Sequence, residues 1–226
     1  MQNYKQLIIL LILSIVAIIF WDTIVIYPIK LFVVFLHELS HGIAAVITGG
    51  KIVKFEISYL IGGNCYTTGG NSFIIASAGY IGSILLGGLL LLRASKTKDS
   101  KIIGISLSII ILIITLIYVR NQFGFLFGIG FGTLLLLLSY FLPSKILELV
   151  LKFIGVVSCL YVLVDIKEDL FTFDYRGSDA DYLQSITGIP AILWGILWSI
   201  IAIISFLYFF KKSVSSNQKG FSKNGA

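Results

Sequence analysis

The sequence predicts an all-α polytopic membrane protein: a bundle of about seven transmembrane helices with a short β-hairpin after the second. Three observations carry this. Hydrophobic residues make up 58% of the 226 positions and charged residues 12%. A soluble domain carries about 25% charged residues, so this chain could not cover a water-facing surface. The apolar residues fall in long unbroken runs, not in the short alternating segments of a membrane barrel. The length suits one bundle domain, residues 1–210, followed by a polar, basic tail at 211–226 whose composition predicts disorder.

Taken in order, the first apolar run covers 7–27. It has a single preceding lysine, Lys5, and no small-residue cleavage site, so it reads as an uncleaved first span that Pro28 ends. The second span covers 30–48 and stops at Gly49-Gly50. Residues 51–59 mix polar positions with β-branched and aromatic ones, Gly62-Gly63-Asn64 offers a turn, and 65–68 can return as a strand. The expected hairpin lies against the mouth of the bundle. Span three, 72–92, is rich in Ala, Ser and Gly, which lets helices approach closely. A basic loop leads to span four, 102–119, and Arg120-Asn121 breaks the chain, with Asn121 as a helix-end cap. Span five, 123–142, carries Gly124, Gly128 and Gly132 at four-residue intervals, a packing face. Span six is 146–164, and 165–188 is an acidic connector. Span seven opens at Pro190 and runs to 210. Trp194 and Trp198 in it read as packing residues or interfacial anchors.

The net charge of +6 sits in loops and in the tail. That placement predicts membrane orientation, N-terminus outside and C-terminus inside, rather than nucleic-acid binding. Cys65 and Cys159 form no motif and predict no disulfide.

The chain has two histidines, and both lie in His37-Glu38-Leu39-Ser40-His41, inside span two. Four-residue spacing puts both imidazoles on one helical face. The pattern is the His-Glu-x-x-His of zinc hydrolases, where two His bind metal and the Glu acts on a water. Ionisable groups inside a span cost about 2.5–3.5 kcal/mol each on insertion scales and mark function by default. Three in under two turns need a compensating partner, which a metal supplies. A catalytic zinc takes three protein ligands and a water. Glu38 is then the candidate general base and His37 and His41 the candidate ligands, with one ligand still to find.

Phe35-Leu36-His37-Glu38-Leu39-Ser40-His41-Gly42 resembles the site-2 protease family of intramembrane zinc metallopeptidases. Gly49-Gly50-Lys51-Ile52, Ser77-Ala78-Gly79-Tyr80-Ile81-Gly82-Ser83, Gly177-Ser178-Asp179-Ala180, Thr187-Gly188-Ile189-Pro190-Ala191 and Trp194-Gly195 resemble a compact, divergent bacterial branch of it. The resemblance implies one catalytic zinc, a multi-pass protein of the bacterial cell membrane, and membrane proteins or peptides as substrates, cut in or near their transmembrane segments. That family's third ligand is an Asp in a Leu-Asp-Gly motif, and this chain has no Asp-Gly.

The connector offers Asp165, Asp169, Asp174, Asp179 and Asp181 instead. Asp179 is favoured if Ser178 caps a helix that enters the bundle and the chain turns again at Gly188. Asp165, as the last residue of span six, is the second choice. Two other functions fit the motif: a metal-stabilised membrane scaffold without activity, and a metal transporter. Transport predicts further ionisable sites in other spans. The sequence leaves the substrate and the oligomeric state open.

Overall fold

The computed structural model describes residues 2–94, 99–171 and 178–216. Eight helices and one hairpin follow in the order α1 (Gln2–Ile19), α2 (Tyr27–Ile47), β1 (Lys51–Ser58), β2 (Gly62–Thr68), α3 (Ser72–Ala94), α4 (Ser100–Tyr118), α5 (Gln122–Phe141), α6 (Ser144–Phe171), α7 (Asp179–Thr187) and α8 (Ala191–Ser216). Six of them, α2 to α6 and α8, are long and apolar enough to cross a membrane, and α1 is a shorter apolar helix. The protein is thus a polytopic helical membrane protein with one small hairpin.

The bundle is organised around α2, which is buried along nearly its whole length. Leu31 to Leu36 are all buried, and the helix packs on α3, α6 and the hairpin. Helices at the periphery expose leucines and isoleucines instead, as lipid contact allows. Pro28 sits in the first turn of α2. There its missing N–H is no loss and its fixed φ suits the helix. The expectation that Pro28 ends the first span is corrected accordingly: α1 stops at Ile19 and residues 20–26 are turns. At the other end Gly49, at φ 89°, and Gly50 close the helix, with Gly50 N–H donating to Ala45 O at 2.7 Å.

The hairpin differs most from expectation. It does not lie across the mouth of the bundle. It folds back along α2: Ile52 and Phe55 pack on Gly42, and Tyr27 Oη donates to Tyr59 O at 2.7 Å near the start of that helix. Gly62 and Gly63 are not the turn either. They pair with Ser58 and Ile57 inside β2, and residues 59–61 make the connection. Phe55 and Ile57 are fully buried, which anchors the hairpin in the core.

The glycine row of α5 packs as expected. A Cβ at Gly128 would strike Thr115 and one at Gly132 would strike Leu112, both on α4. Trp198 is 2% exposed and packs against Tyr80 with the rings tilted by 40°, so it is a packing residue. Helix α8 runs to Ser216, several residues past the expected end of span seven, and α6 runs on to Phe171. The rest of the tail, 217–226, and Asp174, Arg176 and Gly177 of the connector lie outside the described residues.

Candidate metal centre

Helical spacing brings the two histidine rings of α2 to a centroid distance of 4.7 Å. Their Nε2 atoms converge on one carboxylate oxygen, Asp179 Oδ2, at 3.0 Å from His37 and 3.1 Å from His41. Asp179 is the first residue of α7. Ser178 starts that helix with a reciprocal cap: its Oγ accepts from Asp181 N–H at 3.2 Å, and Asp181 Oδ2 accepts from Ser178 N–H at 3.0 Å. Ala180 and Leu183 are buried and hold α7 in the bundle. Gly188, at φ 74°, ends it, and Gln184 Oε1 accepts from Ala191 N–H at 2.8 Å to tie it to α8. Of the connector acids, then, Asp179 turns inward, while Asp181 is used by the cap.

Three observations show that these residues fit a metal. First, His41 Nδ1–H donates to Ile75 O at 2.7 Å, which leaves the Nε2 lone pair facing Asp179. Second, ligand atoms 2.0–2.2 Å from a tetrahedral centre stand about 3.3–3.6 Å apart, a few tenths of an ångström more than the 3.0 and 3.1 Å found here. Third, α3 offers a cradle at Gly79. A Cβ there would collide with the His37 ring and come within 2.6 Å of His41 Nε2. Among the described residues, His37, His41 and Asp179 are the one group that could hold a metal ion.

Asp165 stands elsewhere. Its Oδ2 is 3.8 Å from His37 Nδ1, the nitrogen opposite the one facing Asp179, and its Oδ1 accepts from Tyr161 Oη at 3.2 Å. Because α6 continues past it, Asp165 flanks the ring rather than reaching around to Nε2. His37 Nδ1 is buried and has no hydrogen-bond partner among the described residues.

Glu38 is 6% exposed and lies under β2. Its carboxylate accepts the N–H of Cys65. Gly63 is required beside it, since a Cβ there would stand 2.7 Å from Glu38 Oε1. Burial, together with the Glu38 and Asp179 carboxylates, pushes the Cys65 thiol well above its usual range.

Gly79, the Ile75 carbonyl, Gly63 and the Cys65 N–H were not evident as parts of the site. Gly79 belongs to a stretch that signals close packing and carries part of the family resemblance, and neither places it against the histidines. Gly63 sits in a Gly-Gly-Asn run whose composition also fits a turn. Backbone donors and acceptors leave no mark on sequence.

No curated protein and no solved structure matches this chain. The Peptidase M50B-like family model matches residues 9–209, nearly the whole apolar bundle. The chain belongs to the Peptidase M50B-like family, in keeping with the site-2 protease resemblance of its motifs.

Proposed function

We propose that this protein is an intramembrane zinc endopeptidase that hydrolyses peptide bonds in or near the transmembrane segments of other membrane proteins. The convergence of His37 Nε2, His41 Nε2 and Asp179 Oδ2 beside a buried glutamate, in a member of this family, carries the reading. His37, His41 and Asp179 would hold the ion. Zinc, when bound, supplies a Lewis acid that polarises the scissile carbonyl and makes water a nucleophile near neutral pH. Glu38 takes the proton of the attacking water and delivers it to the departing amine nitrogen. The Cys65 N–H orients that carboxylate, and the hairpin keeps bulk water from it.

A helical substrate shields its amides in its own hydrogen bonds and must be extended before it is cut. We propose that β2 does this by strand pairing. The Cys65 N–H points to Glu38, away from β1, so by the alternation of a strand Gly63 and Thr67 present their N–H groups along that same edge. A proline at Thr67 removes one edge donor without touching Glu38. It is expected to lower kcat/KM about 2- to 10-fold, the worth of one hydrogen bond, with zinc content unchanged. An unchanged kcat/KM would rule out pairing at this edge. Proline at Ile57, the obvious choice from the strand pattern, addresses the wrong edge, because the Ile57 N–H is held by Asn121.

In this scheme Asp165, whose Oδ2 is 3.8 Å from His37 Nδ1, closes to hydrogen-bond distance when the ion is held and then orients the ring. Asp165→Ala should weaken zinc binding about 10- to 100-fold, as loss of such partners does elsewhere. A competition titration with a chromophoric chelator reads this directly, and wild-type affinity would refute it.

A further inference from the structure

The hairpin has two edges, and the structure treats them differently. The outer edge of β1 is closed by the turn between α4 and α5. Val119 forms a parallel bridge with Phe55, and Arg120 N–H donates to Phe55 O at 3.1 Å. Asn121 then supplies a side chain in place of a strand. Its Oδ1 accepts from Ile57 N–H at 3.0 Å, and its Nδ2 donates to Ile57 O at 2.6 Å. Although Asn121 occupies the N-cap position of α5, it makes no side-chain cap to that helix. Its amide is committed to the hairpin, so the expectation of a helix-end cap is corrected. Gly124, in the first turn of α5, leaves the room. A Cβ there would stand 2.5 Å from Asn121 Oδ1 and 3.1 Å from Ile57 N.

Ile57 pairs with Gly63, the residue against which Glu38 lies. The path from Asn121 to the general base is therefore short: Asn121 to Ile57, Ile57 across the pair to Gly63, Gly63 to Glu38. A two-stranded hairpin alone is only marginally stable. Its position is easily lost unless something outside it fixes the strands. Here the burial of Phe55 and Ile57 and the Val119–Arg120 bridge anchor β1, and a primary amide adds the pairing at Ile57, satisfying one N–H and one C=O of the same residue as a neighbouring strand would.

We infer that Asn121 is a positioning residue: it locks β1, and through β1 the β2 edge that faces Glu38, at a fixed register. Helices α4 and α5 thereby have a role in the reaction although neither contributes to the metal group. The inference rests on the proposed cleavage by strand pairing, and it makes a separate claim about where the substrate is cut. A braced edge presents one bond to Glu38. A loosened edge presents several, since register in a strand pair is kept only where something specifies it.

The test uses purified, zinc-loaded full-length chain in detergent with a transmembrane peptide, and mass spectrometry to map products. Asn121→Ala and Gly124→Ala are compared with wild type. Gly124→Ala removes no polar group and disturbs the brace from the α5 side, so it decides the matter alone if Asn121→Ala does not fold. Both variants are expected to keep their zinc, to lose about 10- to 100-fold in kcat/KM, the scale of a small misplacement of reacting groups, and to spread cleavage to neighbouring bonds. Faster hydrogen exchange at Ile57 should accompany this. If the folded variants cut the same single bond at the wild-type rate, the positioning role is overturned while the peptidase reading stands. If wild type cuts nothing, both fall together.

Discussion

Glu38→Gln is expected to lower cleavage about 10²- to 10⁴-fold, the range general acid–base catalysis supplies, while zinc stays bound at the wild-type stoichiometry. The amide is the right probe because of what surrounds the carboxylate. Glu38 is buried under β2, with Gly63 in contact and the Cys65 N–H donating to it. Glutamine fills the same space and still accepts that hydrogen bond through its oxygen. Alanine would open a cavity and leave the Cys65 N–H unpaired, at a cost of about 1–3 kcal/mol, and would confuse catalysis with folding. What glutamine cannot do is accept a proton from water. Substrate and product quantified at equal zinc loading isolate that deficit. Glu38→Gln activity within a few-fold of wild type would remove Glu38 from the proton-transfer role, and a scaffold or another base would have to be considered.

The second large effect is on metal binding. Asp179→Ala should lose zinc under dialysis that leaves wild type loaded, a drop of more than the roughly 100-fold that outer partners cost. Two imidazoles would remain as ligands, with no carboxylate oxygen bound to the ion, and Asp165 and Glu38 would act on its charge only from a distance. The helix should survive. Ser178 and Asp181 make the cap, not Asp179, and an acid at the first helical position is worth only about 0.3–1 kcal/mol through the helix dipole. Metal content by mass spectrometry and helicity by circular dichroism separate the two. Full zinc retention in Asp179→Ala, with loss in Asp165→Ala, would move the third ligand to α6.

The sequence already carried the parts of this protein that rest on local rules. Long apolar runs place the helices, and the four-residue spacing of His37 and His41 places both imidazoles on one face. Ser178 followed by Asp181 marks the start of α7, and Gly188 marks its end. Hence the expected inward turn of Asp179 was within reach. The features that sequence did not reveal depend on pairs of distant residues. Pro28 is compatible with ending one helix or starting the next, and only the burial of residues 31–36 in the bundle decides. Gly62-Gly63 reads as a turn by composition, yet Gly63 is glycine because Glu38 lies against it, a contact between α2 and β2. Asn121 reads as a cap by position, yet its amide finds a more demanding pair of backbone groups at Ile57. Asp165 was known to be near a span end, but which nitrogen of His37 it meets depends on α6 continuing beyond it.

One part-buried metal group, held by His37, His41 and Asp179 and served by Glu38, is proposed to hydrolyse peptide bonds in a membrane. The most direct measurement is product mapping of a transmembrane peptide incubated with the purified chain in lipid vesicles, zinc-loaded and zinc-stripped. Cleavage is expected at a defined bond within or beside the apolar segment with zinc present, with none after stripping and recovery on adding zinc back. Cleavage that persists in the stripped protein, or a zinc-loaded protein that leaves the tested membrane peptides intact, would contradict the proposal.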